Sequence, residues 1–276
     1  MLKLPAMSLS SRAVTWLTTW QREVSAEPDY TRRVALAKDR FSARNTAENL
    51  TFREVRKQLR EMVFGNRRCA YCEHSTGDEV EHVRPKDLYP DEVFDWKNYV
   101  LSCGACNVAK SSRWAVFRAK TNKEVDVSHP WPRDASTTLT PPAPGRDLFI
   151  HPRREDPLAL LTVSFATFQI IPRQKLTPDE KRRAEYTIER LAFEEREDID
   201  LARKVLFDSY VDRLRRYVAR KQAGAPAIEL DALRDQFTLM DHPMVWVEMR
   251  RKRRQLPDVD ALLSQAPEAM TWPPTP

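Results

Sequence analysis

The chain has 276 residues, 41% of them hydrophobic and 31% charged, and a formal net charge of +6 from 46 Lys+Arg against 40 Asp+Glu. That length exceeds a typical single domain yet is short for two large ones, and the apolar content is far too high for a disordered chain. Five glycines against twenty prolines, with no Gly-rich phosphate loop or dinucleotide fingerprint, argue against nucleotide hydrolysis, while the positive excess fits a polyanionic partner or an ordinary solvated surface equally well.

No stretch approaches the roughly 20 apolar residues of a membrane span, and MLKLPAMSLSSRAVTW lacks the apolar block and cleavage site of a signal peptide. The expectation is a cytoplasmic protein with no membrane partner, and a reducing compartment makes clustered thiols metal ligands rather than disulfides.

In chain order, residues 1–64 read as helices. Trp16, Trp20 and Val24 fall four apart, Tyr30, Val34, Ala37 and Phe41 follow a 4-3-4 rhythm, and Phe52, Val55, Leu59 and Met62 repeat a similar one. Thr51 with Glu54 reads as a capping box opening the third helix. Residues 65–128 hold all four cysteines, in short strand-like pieces with a helix starting near Cys106, and form a separate small module. Residues 129–146, HPWPRDASTTLTPPAPGR, read as a Pro-rich linker or surface loop.

In the remainder, 147–276, LFIHP and LLTVSFATFQII read as strands. Thr177, Pro178 and Glu180 mark a strong helix start, Gly224 is placed to end the long helix that follows, and Pro243 and Pro257 interrupt a helical tail.

The chemistry concentrates between two knuckles. Cys69-x2-Cys72 and Cys103-x2-Cys106 stand 30 residues apart, with no cysteine elsewhere. Two such pairs deliver four thiolates tetrahedrally to one zinc ion, and a site closed by four thiolates is structural. Between and after them lie Glu79, Glu81, His82, Arg84, Lys86, Asn98, Asn107 and Lys110. Carboxylate and amide oxygens suit Mg2+ or Mn2+, and an imidazole beside them suits proton transfer, the parts of a phosphodiesterase. In a regular strand Glu81 and His82 face opposite ways, so both reach one site only at a strand end or bulge, and Pro85 fits a strand ending there.

The pattern C-x2-C, E-H-x-x-P, then W-x-N-x4-C-x2-C-N-x2-K resembles the zinc-knuckle HNH endonucleases with a ββα-metal core. CAYCE, VEHVRPK, YPDEVFDWKNYVLSCGACNVAK is similar, more specifically, to the HNH subunit of Septu anti-phage systems, the retron-associated HNH family, densely over residues 68–114 and more weakly in HPRREDP and RAEYTIERLAF.

The resemblance implies an α+β, mostly helical fold: a small ββα-metal core with a four-cysteine zinc site, flanked by N-terminal and C-terminal helical segments. It implies a metal-dependent endonuclease with His82 as general base, Asn98 orienting the histidine loop, and Glu81 and Asn107 as ligands of Mg2+ or Mn2+. Glu79 shares Glu81's side of a strand and is a further ligand candidate. Arg84, Lys86 and Lys110 are candidate phosphate contacts on nucleic acid, DNA in the first place and RNA as the alternative, and an ATPase subunit encoded nearby is the implied partner. The competing functions are a non-catalytic zinc-stabilised nucleic-acid-binding module, which has no use for Glu81, His82 and Asn107 together, and an interaction scaffold.

His74 reads as an exposed histidine, and His129, His151 and His242, each before a proline, as turn residues. The run Arg250 to Arg254 reads as a phosphate track or a solvated helix face.

Overall fold

A computed structural model describes residues 1–64, 67–129 and 137–274. Three helices come first, α1 (Ser11–Ser25), α2 (Tyr30–Arg44) and α3 (Leu50–Met62), capped by the side chains of Ser10, Asp29 and Asn49. The α2 and α3 stripes are buried as expected, with Tyr30 only half-buried. On α1 the buried set is Ala13, Leu17, Trp20 and Val24, while Trp16 is 46% exposed. Steps of four drift by about 40° each around a helix, so Trp16 leaves the stripe that a 4-3-4 rhythm keeps centred.

The expected Thr51–Glu54 capping box is absent. Asn49 caps α3 by accepting from Phe52 N at 3.2 Å, Thr51 lies buried inside the helix, and Glu54 accepts from Ser10 N and Oγ at 2.5 and 2.8 Å. An asparagine two residues earlier is a strong cap, and the free N–H groups opening α1 attract the carboxylate.

Strand β1 (Glu79–His82) pairs antiparallel with β2 (Tyr99–Ser102), matching Glu79 with Ser102 and His82 with Tyr99, and α4 (Gly104–Lys110) follows directly. Helix α3 packs on β2. Trp20, Phe41, Phe52 and Tyr99 pack ring against ring at centroid separations of 5.5–6.2 Å, so one apolar core runs from the N-terminal helices under the hairpin.

Next, β3 (Ala115–Arg118) lies between β4 (Glu124–Asp126) and β5 (Gly145–Asp147). Of the expected linker, 130–136 lie outside the described residues, and 137–144 have no regular secondary structure. The strand expected at LFIHP forms one step earlier, as β5. Leu148 N still donates to Ala115 O at 3.1 Å, but Phe149 and Ile150 are buried core outside any strand. The LLTVSFATFQII run folds into a hairpin of β6 (Leu161–Val163) and β7 (Ile170–Pro172), turned through Ser164 and Phe168, whose φ is 62°.

The C-terminal part is helical. Thr177 and Glu180 make the expected capping box on α5 (Pro178–Arg190), and α6 (Glu197–Gln222) ends before Gly224 at φ 72°. Helices α7 (Ala227–Thr238), α8 (Pro243–Arg251) and α9 (Pro257–Gln265) complete it, with the two prolines at helix starts, where a missing N–H is harmless. A second core gathers Tyr210, Phe237, Trp246 and Trp272. Helix α8 joins the two cores: Met244 and Val247 face the first, Val245, Trp246 and Met249 the second.

Part of the basic run turns inward, while Arg251 and Arg254 are exposed. Arg250 is 5% exposed, lies over the Trp246 ring and donates to the carbonyls of Met270 and Trp272 at 2.9 and 2.7 Å and to that of Pro274. Arg251 and Lys252 flank the fully buried Glu248 at 3.5 and 3.6 Å. Among the described residues, no helix is long and apolar enough to cross a membrane.

His151 is 3% exposed; its Nδ1 accepts from Arg153 N at 3.3 Å while Nε2 lacks a partner. Burial, then the nearby Arg154 and Arg153, pushes it down to about 3 from its ordinary 6.5. Between those values the unfolded chain binds a proton that the folded chain does not, so stability is full above pH 6.5 and falls toward pH 3. His151→Gln should remove from that slope about 1.4 kcal/mol per pH unit, read by urea unfolding from pH 4 to 7. At the α3 cap, Asn49→Ala should lower unfolding stability by about 1 kcal/mol in the same assay at pH 7.

Candidate functional site

The four cysteines come together from two segments. Cys69 and Cys72 sit in a tight hairpin, with Arg68 bridged to Thr76 and Cys69 N donating to Ser75 O at 2.9 Å. Glu73, at φ 60°, turns that hairpin. Cys103 is the N-cap of α4, and Cys106 lies in its first turn. Gly77 allows the close approach to β2, since a Cβ there would lie 2.7 Å from Leu101 Cγ.

All four thiols are buried, and their sulfurs lie within 4.8 Å of one another, arranged to hold a metal ion. Hydrogen bonding to Cys103 pushes the Cys72 thiol down and the Cys106 thiol up. Four thiolates together therefore call for a cation between them. Arg196, just before α6, places Nη1 3.8 Å from Cys106 Sγ and offsets thiolate charge from the far end of the sequence. Among the described residues, the cysteines are the one such metal-holding group of His, Cys, Asp and Glu; Glu79, Glu81 and His82 do not form a second.

The hairpin and α4 make the expected ββα arrangement, and β1 lays its two carboxylates against that helix. Asn107 Nδ2 donates to Glu79 Oε2 at 2.5 Å, and Lys110 Nζ lies 2.7 Å from Glu81 Oε1. Asn107 and Lys110, three apart, present one helix face to Glu79 and Glu81, two apart on one strand face. With its amide nitrogen on Glu79, Asn107 keeps Oδ1 as an available oxygen.

His82 packs into the aromatic core, with Phe41 at 4.4 Å and Tyr99 at 5.1 Å between ring centroids. Its Nε2 lies 2.9 Å from Val93 O, which also accepts from Tyr99 Oη at 2.6 Å. A carbonyl only accepts, so Nε2 carries the hydrogen and Nδ1 the lone pair. Burial, with Lys86 next in weight, pushes His82 down to about 3, which keeps it neutral at pH 7.

Asn98 is fully buried and clamps the chain after His82. It accepts from Arg84 N at 2.8 Å and donates to the carbonyls of Arg84 and Glu92 at 3.0 and 3.3 Å.

An open cleft of about 260 Å³ is lined by Lys38, Glu81, His82, Lys86, Asn107 and Lys110. The three sequence-picked cations differ in their situations. Arg84 binds Asp147 at 2.7 Å and Glu92 at 2.6 Å and so lies in an internal ion-pair network. Lys110 is 1% exposed. Lys86 is half-buried over the Phe41 ring and has no ion pair among the described residues. Sequence reasoning missed Lys38 and the role of Phe41. The α2 stripe marks Phe41 as core, but nothing in the sequence tells which exposed lysine meets the cleft.

The other histidines stay outside it. His74 Nδ1 and His242 Nε2 lie 3.2 Å apart, with His242 1% exposed at φ 50° where α8 begins. His129 Nε2 lies 3.3 Å from Thr140 O.

No family model matches the chain. A stretch of 69 residues is 38% identical to Septu protein PtuB of Bacillus thuringiensis, which covers 23% of this chain and 27% of that protein. The chain thus covers about a quarter of the length of the curated relative it matches, a weak homology that relates part of it to a Septu protein.

Proposed function

We propose that the chain is a metal-dependent HNH endonuclease hydrolysing phosphodiester bonds of nucleic acid in the cytoplasm, the effector of a Septu-like or retron-associated anti-phage system controlled by a partner ATPase. Residues 65–128 carry its nuclease core, and the helical segments before residue 64 and after residue 177 are the parts that meet the partner. One observation carries the reading: Glu81, His82 and Asn107 line a single cleft on a ββα unit braced by a four-thiol cluster. The partial similarity to Septu protein PtuB supports the defence context.

Zinc is the metal proposed for the cysteines. A tetrahedron with Zn–S bonds of about 2.3 Å has edges of about 3.8 Å, and Cys72 and Cys103 sulfurs stand 3.9 Å apart. Four thiolates leave no open position, which suits a structural ion.

Glu81 and Asn107 Oδ1 in the cleft, with Glu79 beside Asn107, would be the hard oxygen donors for Mg2+ or Mn2+. That ion, when bound, supplies electrostatic stabilisation of charge on phosphate oxygens. His82 takes a proton from the attacking water at Nδ1, and its ring is held by Val93 O through Nε2. A phosphodiester beside the ring favours its protonated form and so raises a pKa that burial holds low. Asn98 holds the histidine loop in place. Lys86 and Lys38 are the cations open to a phosphate.

A second reading, a non-catalytic zinc-stabilised nucleic-acid-binding module, is favoured by one contact: Lys110 already pairs with Glu81. A cleavage assay separates the two. Purified protein, with and without the ATPase encoded beside it, is incubated with DNA and RNA in Mg2+ or Mn2+. His82→Gln, chosen over Ala because the ring is buried, should slow cleavage by about 10² or more while zinc content stays at one per chain. Cleavage by His82→Gln at the parent rate sinks the nuclease assignment. Cys103→Ser should purify with less than one zinc per chain and unfold at a lower temperature, read by metal analysis and thermal melting.

A further inference from the structure

Lys110 is the most deeply buried cation of the cleft. Its ammonium lies 2.7 Å from Glu81 Oε1, 3.4 Å from Ser111 O, and over the Trp114 and Phe149 rings at 5.6 and 6.0 Å. At 1% exposure it cannot swing out to meet a substrate without leaving that aromatic bed. A carboxylate available to a divalent ion therefore already has a fixed positive charge against it. Lys86 and Lys38 bring two more ammonium groups to the same cleft, and Asp87 lies 3.6 Å from Lys38. Three ammonium groups thus balance Glu79, Glu81 and Asp87 before any metal arrives. A dication added alone takes this balanced cleft to a net charge of +2 in a partly desolvated space, and each phosphodiester brought with it supplies one compensating negative charge.

We propose that Lys110 makes the divalent-metal site of this cleft conditional on substrate, so that the cleft takes up Mg2+ or Mn2+ tightly only together with the phosphodiester groups of a nucleic acid. The inference rests on the proposed function and deepens it. Lys110 is a positioning residue that acts through Glu81 rather than a phosphate contact. A nuclease built this way holds little cleaving metal while no strand lies in the cleft.

Mn2+ binding, read by the paramagnetic signal of free Mn2+, tests this on the intact protein. A short DNA oligonucleotide is compared with the same sequence carrying uncharged methylphosphonate linkages; cleavage products retain most of the charge, so turnover does not spoil the comparison. With the Mn2+ bound by each oligonucleotide alone measured and subtracted, the charged strand should tighten Mn2+ binding by the protein at least tenfold over the uncharged one. Lys110→Met, with its fold checked by zinc content and circular dichroism, should bind Mn2+ at least tenfold more tightly than the parent when no oligonucleotide is present. If that variant does not fold, the two-strand comparison on the parent protein decides alone. Equal Mn2+ affinity with both strands overturns the proposal, as does a folded Lys110→Met with parental affinity. Mn2+-dependent cleavage persisting beside either result leaves the nuclease reading intact. Absence of Mn2+ binding under every condition overturns both.

Discussion

The closure of four thiols around one point is the constraint on which the site depends. It ties the hairpin that holds Cys69 and Cys72 to the start of α4, and between those two anchors hang both strands that carry the cleft residues. The strands are four residues each, too short to be stable as an isolated hairpin. Their register, which sets Glu79 and Glu81 against Asn107 and Lys110, therefore leans on the cysteine cluster from one side and on the aromatic core from the other. Arg196, near the start of α6, adds a positive charge to the cluster and so connects the C-terminal helices to the same anchor.

Within that frame the two sides of β1 do different electrostatic work. One face sets carboxylates against a helix that answers with an amide and a buried ammonium. At the strand end the histidine enters an aromatic pocket made by Phe41 and Tyr99, and burial there keeps it neutral. Asn98 joins the two regions, because its side chain bonds the backbone of Arg84 while its own carbonyl accepts from Val83 N at 2.9 Å. The neutral histidine, with its tautomer fixed by Val93 O, thus stands beside carboxylate and amide oxygens in one cleft. Within it the buried ammonium of Lys110 lies 2.7 Å from Glu81 Oε1.

Charge that looks available along the sequence is largely internal in the fold. Arg84 joins the strand end to Asp147 and Glu92, Arg183 holds Glu155 at 2.5 Å, and Arg250 satisfies carbonyls of the C-terminal turn. With 46 Lys+Arg against 40 Asp+Glu, the chain has carboxylates to pair with most of its cations. At the cleft, Lys86 has no ion pair among the described residues and Lys38 is exposed beside Asp87.

The sequence by itself determined what depends on residue type and local spacing. Two CxxC pairs announced the thiol cluster because tetrahedral sulfur ligation needs just those two short turns. Apolar rhythm placed α2 and α3, and Thr177 and Gly224 marked a helix start and a helix end because a side-chain cap and a positive φ are local demands. Only the tertiary structure decided which polar groups meet. That Lys110 pairs with Glu81, that Glu54 serves α1 rather than its own helix, and that Arg250 turns inward depend on elements far apart in sequence being pressed together. A long charged side chain reaches several partners from one Cα, and desolvation in the assembled fold selects among them, a choice no spacing rule encodes.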